Sequence, residues 1–289
     1  MYAEFDLDMP DTLVGALDAL AGAGGREISP LAGGTNLIVD IRARREWPER
    51  VVSLGRIAEL RGVHAGAGRV EIGARTTVSD LLASAEIAAA APALVDAARV
   101  FAGQMVRNAA TVAGNIACGS PAADLVPPLM SLDAEVTLVS KAGERTVPLA
   151  EYFLGYKQAA RKPDELIAKI GWPRLPANAA NSFYKLARRK GDAITITGVA
   201  VTVAAEGGKC SMARIALGAV APVVLRARKA EAMLEGEALT PALIAQAAAT
   251  AAGECSPIDD VRATAEYRLH TVEALTRRLV SQAWDRVKG

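Results

Sequence analysis

The segment Pro173-Arg174-Leu175-Pro176-Ala177-Asn178 divides the chain into two parts. Proline cannot continue a helix or the interior of a sheet, so we expect regular structure to stop on either side of this linker. Apolar periodicity after the linker predicts strands first and helices afterwards, an order typical of α+β folds. The strands are predicted near 183–187, 194–204 and 212–220, and the helices near 226–235, 241–252 and 263–287.

The part before the linker changes character at about residue 55. The earlier stretch mixes a helix that opens at Pro10-Asp11-Thr12 with short apolar strands, as in a small α/β unit. The later stretch begins with a hairpin around Gly66-Ala67-Gly68 and continues with a capping-box sequence, Thr77-Val78-Ser79-Asp80. We therefore predict a domain at 1–175 with lobes at about 1–55 and 56–175, and a smaller α+β domain at 178–289.

Composition excludes several classes of protein. The 289 residues are 51% hydrophobic and carry a net charge of +1, which indicates a globular chain and argues against nucleic-acid binding through bulk positive charge. No stretch is apolar and long enough to predict a transmembrane segment. The three cysteines are far apart, so they predict neither a disulfide framework nor a metal site. No leader pattern is visible at the start, so we expect a cytoplasmic protein.

A first glycine stretch, Ala32-Gly33-Gly34-Thr35-Asn36, lies between a predicted strand and a predicted helix. Glycines leave no side chain between the backbone and an approaching group. Their N–H groups, followed by a helix N-terminus, can bind an anion such as pyrophosphate. A Gly-Gly pair after a strand is more often a simple tight turn, so this stretch alone does not identify a site.

A second stretch, Thr111-Val112-Ala113-Gly114-Asn115, predicts backbone exposed at the margin of a strand, because β-branched residues run directly into a glycine. Asp124 follows at an expected helix start, where it can either cap the helix or accept hydrogen bonds from sugar hydroxyls. Neither stretch has the Gly-x-Gly-x-x-Gly spacing of a Rossmann nucleotide site.

The two stretches together are more specific. They occur with Phe101-Ala102-Gly103-Gln104-Met105-Val106-Arg107-Asn108 and Ser120-Pro121-Ala122-Ala123-Asp124, and later with motifs at 184–192 and 257–268. In this order the motifs resemble the FAD-binding medium subunit of the molybdenum hydroxylases, the family of xanthine dehydrogenase and carbon monoxide dehydrogenase. The resemblance implies a two-lobed FAD domain of the p-cresol methylhydroxylase type, then a three-stranded antiparallel sheet with a helical bundle.

The resemblance also implies roles for individual residues. The 32–36 backbone is expected to hold the FAD pyrophosphate, and Asp124 to bond ribityl or ribose hydroxyls. Lys185 is expected to reach toward the isoalloxazine, unless it is a solvated lysine at a strand end, and Phe101 to lie beside the flavin, unless it is a core residue. Ala193-Ile194 replaces a Tyr or Ile that some relatives place on one flavin face. The cofactor residues expected are Ala32, Gly33, Gly34, Thr35, Asn36, Phe101, Thr111, Val112, Ala113, Gly114, Asn115, Asp124, Ile167 and Lys185.

The family's chemistry implies partners. FAD belongs to this chain, whereas molybdopterin and [2Fe-2S] clusters are expected only in a large and a small partner subunit, as a dimer of heterotrimers. The chain is then an electron-transfer subunit that takes electrons from the [2Fe-2S] subunit and passes them to an external acceptor. Two alternatives stay open: a stand-alone FAD-dependent oxidoreductase of the same fold, and an assembly module that has lost its flavin.

Overall fold

A computed structural model describes residues 4–22, 27–189, 191 and 193–288. Two residues of the motif at 184–192, Lys190 and Asp192, lie outside the described residues. The described chain forms three consecutive parts: a first lobe, a second lobe and a C-terminal part.

The first lobe is a parallel three-stranded sheet in the order β1-β3-β2, with two helices. The first helix begins where the sequence predicts, because the Thr12 hydroxyl accepts a hydrogen bond from the Gly15 N–H at 3.1 Å. Its buried face carries Leu17 and Leu20. The elements are β1 (Asp6–Asp8), α1 (Leu13–Ala21), β2 (Ile28–Leu31), α2 (Leu37–Arg42) and β3 (Arg50–Ser53).

The second lobe is an antiparallel five-stranded sheet in the order β4-β5-β10-β6-β7, covered by short helices. The predicted hairpin and the capping box are both confirmed: Thr77 accepts from the Asp80 N–H, and the Asp80 carboxylate accepts from the Thr77 N–H at 2.8 Å. A short 3-10 helix precedes the hairpin at Ala58–Leu60. The elements are β4 (Val63–Ala65), β5 (Arg69–Gly73), α3 (Val78–Ala83), α4 (Ala85–Ala90), α5 (Pro92–Arg99), α6 (Gln104–Ala109), α7 (Val112–Ala117), α8 (Val126–Ser131), β6 (Glu135–Ser140), β7 (Gly143–Pro148), α9 (Leu149–Tyr152), β8 (Phe153–Gly155), β9 (Gln158–Ala159) and β10 (Leu166–Pro173).

The predicted strand margin at 111–115 is wrong. Thr111 is the N-cap of α7, because its hydroxyl accepts a hydrogen bond from the Gly114 N–H at 3.0 Å. Val112 and Ile116 then bury one face of this short helix in the core of the lobe. Tertiary packing and the cap outweigh the strand preference of Thr and Val.

The C-terminal part is an antiparallel sheet packed on three helices, so the predicted α+β class is confirmed. The sheet has a fourth strand besides the three predicted ones. The extra strand is only two residues long, too short to carry an alternating pattern. The elements are β11 (Ala179–Ala187), β12 (Thr195–Glu206), β13 (Lys209–Gly218), β14 (Leu225–Arg226), α10 (Arg228–Leu234), α11 (Pro241–Gly253) and α12 (Ala265–Val287).

The C-terminal part is fixed against the second lobe by buried contacts. Phe183, Ala200 and Ala216 of its sheet share a hydrophobic cluster with that lobe. The side-chain amide oxygen of the buried Asn181 accepts from the Ala93 N–H of α5 at 2.9 Å. This packing sets where the loop between β11 and β12 lies relative to the lobes.

Candidate functional site: a cleft between the two lobes

A cleft of about 560 Å³ lies between the first and second lobes. This volume falls in the range of about 300–1,000 Å³ typical of ligand and cofactor sites. One wall is the 32–36 segment, and the other contains the Ala110–Gly114 region and the residues that follow it. Thus two stretches separated by about 75 residues of sequence converge on one cavity.

The two lobes touch at the glycine pair. A Cβ on Gly33 would lie 1.9 Å from the Ala109 carbonyl oxygen and 3.1 Å from the Ala110 Cα, so only glycine allows this backbone contact. Gly34 is needed for a different reason, since its φ of +70° is in the left-handed region. The sequence predicts that these glycines let a ligand approach the backbone. In the structure, Gly33 also lets the backbone of the other lobe approach.

The backbone N–H groups of the 32–36 wall are available to a ligand in the cleft. Within the part of the chain that the structure describes, no backbone N–H group of residues 33–36 donates to another protein atom, although the Asn36 side-chain amide donates to the Asp40 carboxylate at 2.9 Å. The Gly34 and Asn36 carbonyls instead accept bonds from Ile38 and Asp40 in α2, which fixes the segment. Donors that lack a protein acceptor suit an anionic or polar ligand.

The opposite wall is fixed by hydrogen bonds within the second lobe. Thr111 caps α7, and the Asn115 side-chain oxygen accepts from the Leu125 N–H at 3.1 Å, which joins α7 to the start of α8. Ala113, Gly114 and Asn115 line the cleft. Val112 does not line it, because its side chain is fully buried and its N–H donates to the Thr76 carbonyl.

Phe101 and Ile194 are apolar residues of the cleft lining, and hydrogen bonds from neighbouring residues meet at Asp124; the part of the cleft that they line is called its apolar end here. Phe101 lines it on a loop that Arg107 holds by donating to the Phe101 and Ala102 carbonyls, each at 2.9 Å. Ala102 has a φ of +35°, a strained value for a residue with a Cβ. Ile167 lines the cleft beside a register irregularity of β10.

Among the cleft-lining residues that are described, Ile194 alone comes from the C-terminal part. Ile194 is 54% exposed, so its side chain is accessible from the cleft. The family resemblance marks this loop as one that faces the flavin, and the structure places an aliphatic side chain there, one residue after Ala193.

The cleft is also lined by three charged residues that the sequence analysis did not identify: Arg75, Arg161 and Glu46. Burial, together with the charge of Arg61, lowers the pKa of Arg75, but a guanidinium remains charged. Burial and the neighbouring Asp40 raise the pKa of Glu46. No spacing rule could have identified these residues, because each depends on tertiary packing.

Asp124 and Lys185 lie outside the cleft wall. The Lys185 ammonium donates to the Asp124 carboxylate at 2.6 Å, and the two side chains are 5% and 9% exposed. The interpretation of Lys185 as a solvated strand-end lysine is therefore wrong. Asp124 does not cap α8, which has no side-chain cap at its N-terminus. Direct contact of either residue with a cofactor stays a prediction.

A two-lobed α+β fold whose lobes meet along a cleft of side-chain-poor backbone is typical of a protein that binds a ligand or cofactor between its lobes. Comparison with known proteins narrows this class. The FAD binding domain in molybdopterin dehydrogenase matches residues 3–175, and the CO dehydrogenase flavoprotein C-terminal domain matches residues 182–283. The chain belongs to the family of FAD-binding subunits of the molybdenum hydroxylases and is an oxidoreductase subunit.

Two relatives and one solved structure illustrate the similarity. The carbon monoxide dehydrogenase medium chain of Hydrogenophaga pseudoflava is 34% identical over 94% of this chain and 95% of its own length. The putative xanthine dehydrogenase FAD-binding subunit of Escherichia coli K12 is 30% identical over 94% and 93%. A structure of the Hydrogenophaga carbon monoxide dehydrogenase superimposes with a TM-score of 0.95 at 34% identity, covering 99% of each chain. No helix in the described residues could cross a membrane.

Proposed function

We propose that this chain is the electron-transfer subunit of a molybdenum-containing hydroxylase or dehydrogenase. In this role it takes electrons from a [2Fe-2S] subunit and passes them to an external acceptor. The observation that carries the proposal is the convergence of the 32–36 and 111–115 segments on one cleft in a chain of this family.

The proposed FAD contacts are the predicted residues that line the cleft. The free N–H groups of residues 33–36 are suited to the pyrophosphate, and Arg75 and Arg161 add two cations to the same cavity. The apolar end formed by Phe101 and Ile194 suits the isoalloxazine ring. The cleft-lining residues of the predicted set are Ala32, Gly33, Gly34, Thr35, Asn36, Phe101, Thr111, Ala113, Gly114, Asn115 and Ile167.

FAD, when bound, supplies one- and two-electron transfer, which protein side chains cannot provide. The chain's own residues bind and orient it. Backbone N–H donors would hold the charged pyrophosphate of FAD, and they lack the rotational freedom of long side chains. Phe101 and Ile167 exclude water from the apolar end, while the exposed face of Ile194 leaves a route for an electron acceptor.

The partners belong to the same proposal. A large molybdopterin subunit and a small [2Fe-2S] subunit would join this chain in a dimer of heterotrimers in the cytoplasm. The proposed domains are residues 1–175 and 178–289, since β10 ends at Pro173 and residues 174–178 lie between it and β11. The "medium chain" in the names of the carbon monoxide dehydrogenase relatives supports a multi-subunit assembly.

The test is purification of the native assembly under mild conditions. We expect one FAD released per chain on denaturation, co-purification of a large and a small subunit, and molybdenum and iron in the complex. A flavin-containing monomer that oxidises an organic substrate by itself would favour the stand-alone oxidoreductase. A chain with no flavin absorbance and no FAD on denaturation would overturn the proposal.

A further inference from the structure

A buried ion pair joins the second lobe to the C-terminal part next to the apolar end of the cleft. The Lys185 ammonium on β11 donates to one Asp124 oxygen at 2.6 Å, and the Thr195 hydroxyl at the start of β12 donates to the other. All three groups are buried. Burial raises the pKa of Asp124 whereas Lys185 and Thr195 lower it, so the carboxylate depends on these partners to stay charged.

The atoms bound by this pair are neighbours of the two residues at the apolar end. Lys185 also donates to the Val100 carbonyl at 3.4 Å, and Val100 directly precedes Phe101. Thr195 directly follows Ile194. Both Phe101 and Ile194 line the cleft, whereas Lys185 and Asp124 do not.

We propose that Lys185, Asp124 and Thr195 are positioning residues that set the distance between Phe101 and Ile194 across the ring end of the cleft. This inference rests on the proposed binding of FAD. The ion pair anchors the loop of Phe101 and the loop of Ile194 to the same carboxylate, so the two apolar side chains move together. A flavin ring between them would be held by aliphatic and aromatic surfaces of fixed spacing.

The contacts also explain why Lys185 is a lysine. Its three donors reach Asp124 and a carbonyl at once, in a pocket where an uncompensated charge is costly. Methionine has a similar length but cannot donate. Lys185→Met therefore releases the Val100 carbonyl and leaves Asp124 with the Thr195 hydroxyl alone.

The experiment compares flavin properties and stability in the purified holoenzyme. The variants are Lys185→Met, the charge-free double variant Lys185→Met/Asp124→Leu, Ile194→Ala, and the combination Lys185→Met/Ile194→Ala. The matched control is Glu231→Gln, which breaks a pair of similar burial: Arg226 and Glu231 are 3% and 5% exposed. Arg226 also crosses to the second lobe by donating to the Met130 carbonyl, but neither residue lines the cleft.

We expect Lys185→Met to change the visible circular dichroism of bound FAD and to raise its dissociation constant by about 10- to 100-fold, as losing a residue that holds a metal ligand does. Lys185→Met/Asp124→Leu is expected to be more stable than Lys185→Met, because apolar replacement of a whole buried pair is tolerated. It should nevertheless keep the altered flavin spectrum. Adding Ile194→Ala to Lys185→Met should change the spectrum little further, because both act on one contact. Glu231→Gln should lose stability with an unaltered flavin spectrum.

An unchanged flavin spectrum and affinity in Lys185→Met, with a stability loss like that of Glu231→Gln, would overturn the inference and leave FAD binding intact. A full additional effect of Ile194→Ala on top of Lys185→Met would also overturn it. Absence of FAD from the wild-type holoenzyme would instead show that the proposed function itself is wrong.

Discussion

Gly33→Ala tests whether the contact between the lobes is a contact between backbones. The added methyl group would lie 1.9 Å from the Ala109 carbonyl oxygen, which is 1.5 Å short of the 3.4 Å at which ordinary contact begins. The opposing atoms are main-chain atoms, so no side chain can rotate away. The φ of Gly33 is not in the left-handed region, so any cost of the substitution is steric.

The expected magnitude follows from two opposing effects. Forcing an extra methyl into a packed contact costs about 1–3 kcal/mol. Replacing glycine by alanine in an unstrained position stabilises a protein by about 0.4–1 kcal/mol, because the unfolded chain loses freedom. Gly68→Ala is the matched control, since a Cβ there meets nothing within 4 Å. The gain from the unfolded chain is common to both variants and cancels, so they should differ in free energy of unfolding by the steric cost alone, about 1–3 kcal/mol.

The assay combines urea unfolding with the ratio of flavin to protein absorbance after purification. Gly33→Ala should unfold at lower urea and retain less FAD, because separating the lobes widens the cleft. Gly68→Ala should match or exceed the wild type in both measurements. Equal stability and equal flavin content in the two variants would refute the reasoning that the lobes meet at Gly33.

Three further outcomes are expected. Adding FAD to flavin-stripped protein at 100 times its dissociation constant should stabilise it by about 2.7 kcal/mol in calorimetry or urea unfolding, whereas equimolar NAD should not. Arg145 lowers the pKa of Glu165, so the stability difference between wild type and Glu165→Gln should shrink in urea titrations as pH falls below about 4. Burial raises the pKa of the cleft-lining Cys118 thiol, so its alkylation, followed by mass spectrometry, should be slow and slower still with FAD; Cys255, outside the cleft, should react equally in both states.

Local features of the fold were predictable because their causes are local. Thr12 caps the first helix and Thr77 with Asp80 caps another, and each cap depends on residues three apart. Apolar periodicity predicted the hairpin of the second lobe and three of the four strands of the C-terminal sheet for the same reason. The error at 111–115 arose because the prediction followed the strand propensity of Thr and Val, while the cap at Thr111, which is also a local signal, and the burial of Ile116 decided the structure.

The candidate site was predictable only in part. The glycine stretches were visible as patterns, but Arg75, Arg161 and Glu46 enter the cleft through packing that no spacing encodes. The partners of Asp124 are 61 and 71 residues away in sequence, so its ion pair could not be read from its neighbours. The family resemblance marked Asp124 and Lys185 as functional, and the structure shows that they contact each other.

Gly33 and Ala110 belong both to the contact between the lobes and to the lining of the cleft. Gly33 touches Ala109 and Ala110, and the chain then enters the wall that begins at Thr111. A ligand that binds both walls therefore binds only the arrangement in which the lobes are in contact, and by linkage it must stabilise that arrangement. It follows that a substitution which separates the lobes lowers FAD affinity even if it touches no cofactor atom. Gly33 is thus required by the contact between the lobes, and through that contact we expect it to govern cofactor affinity as well.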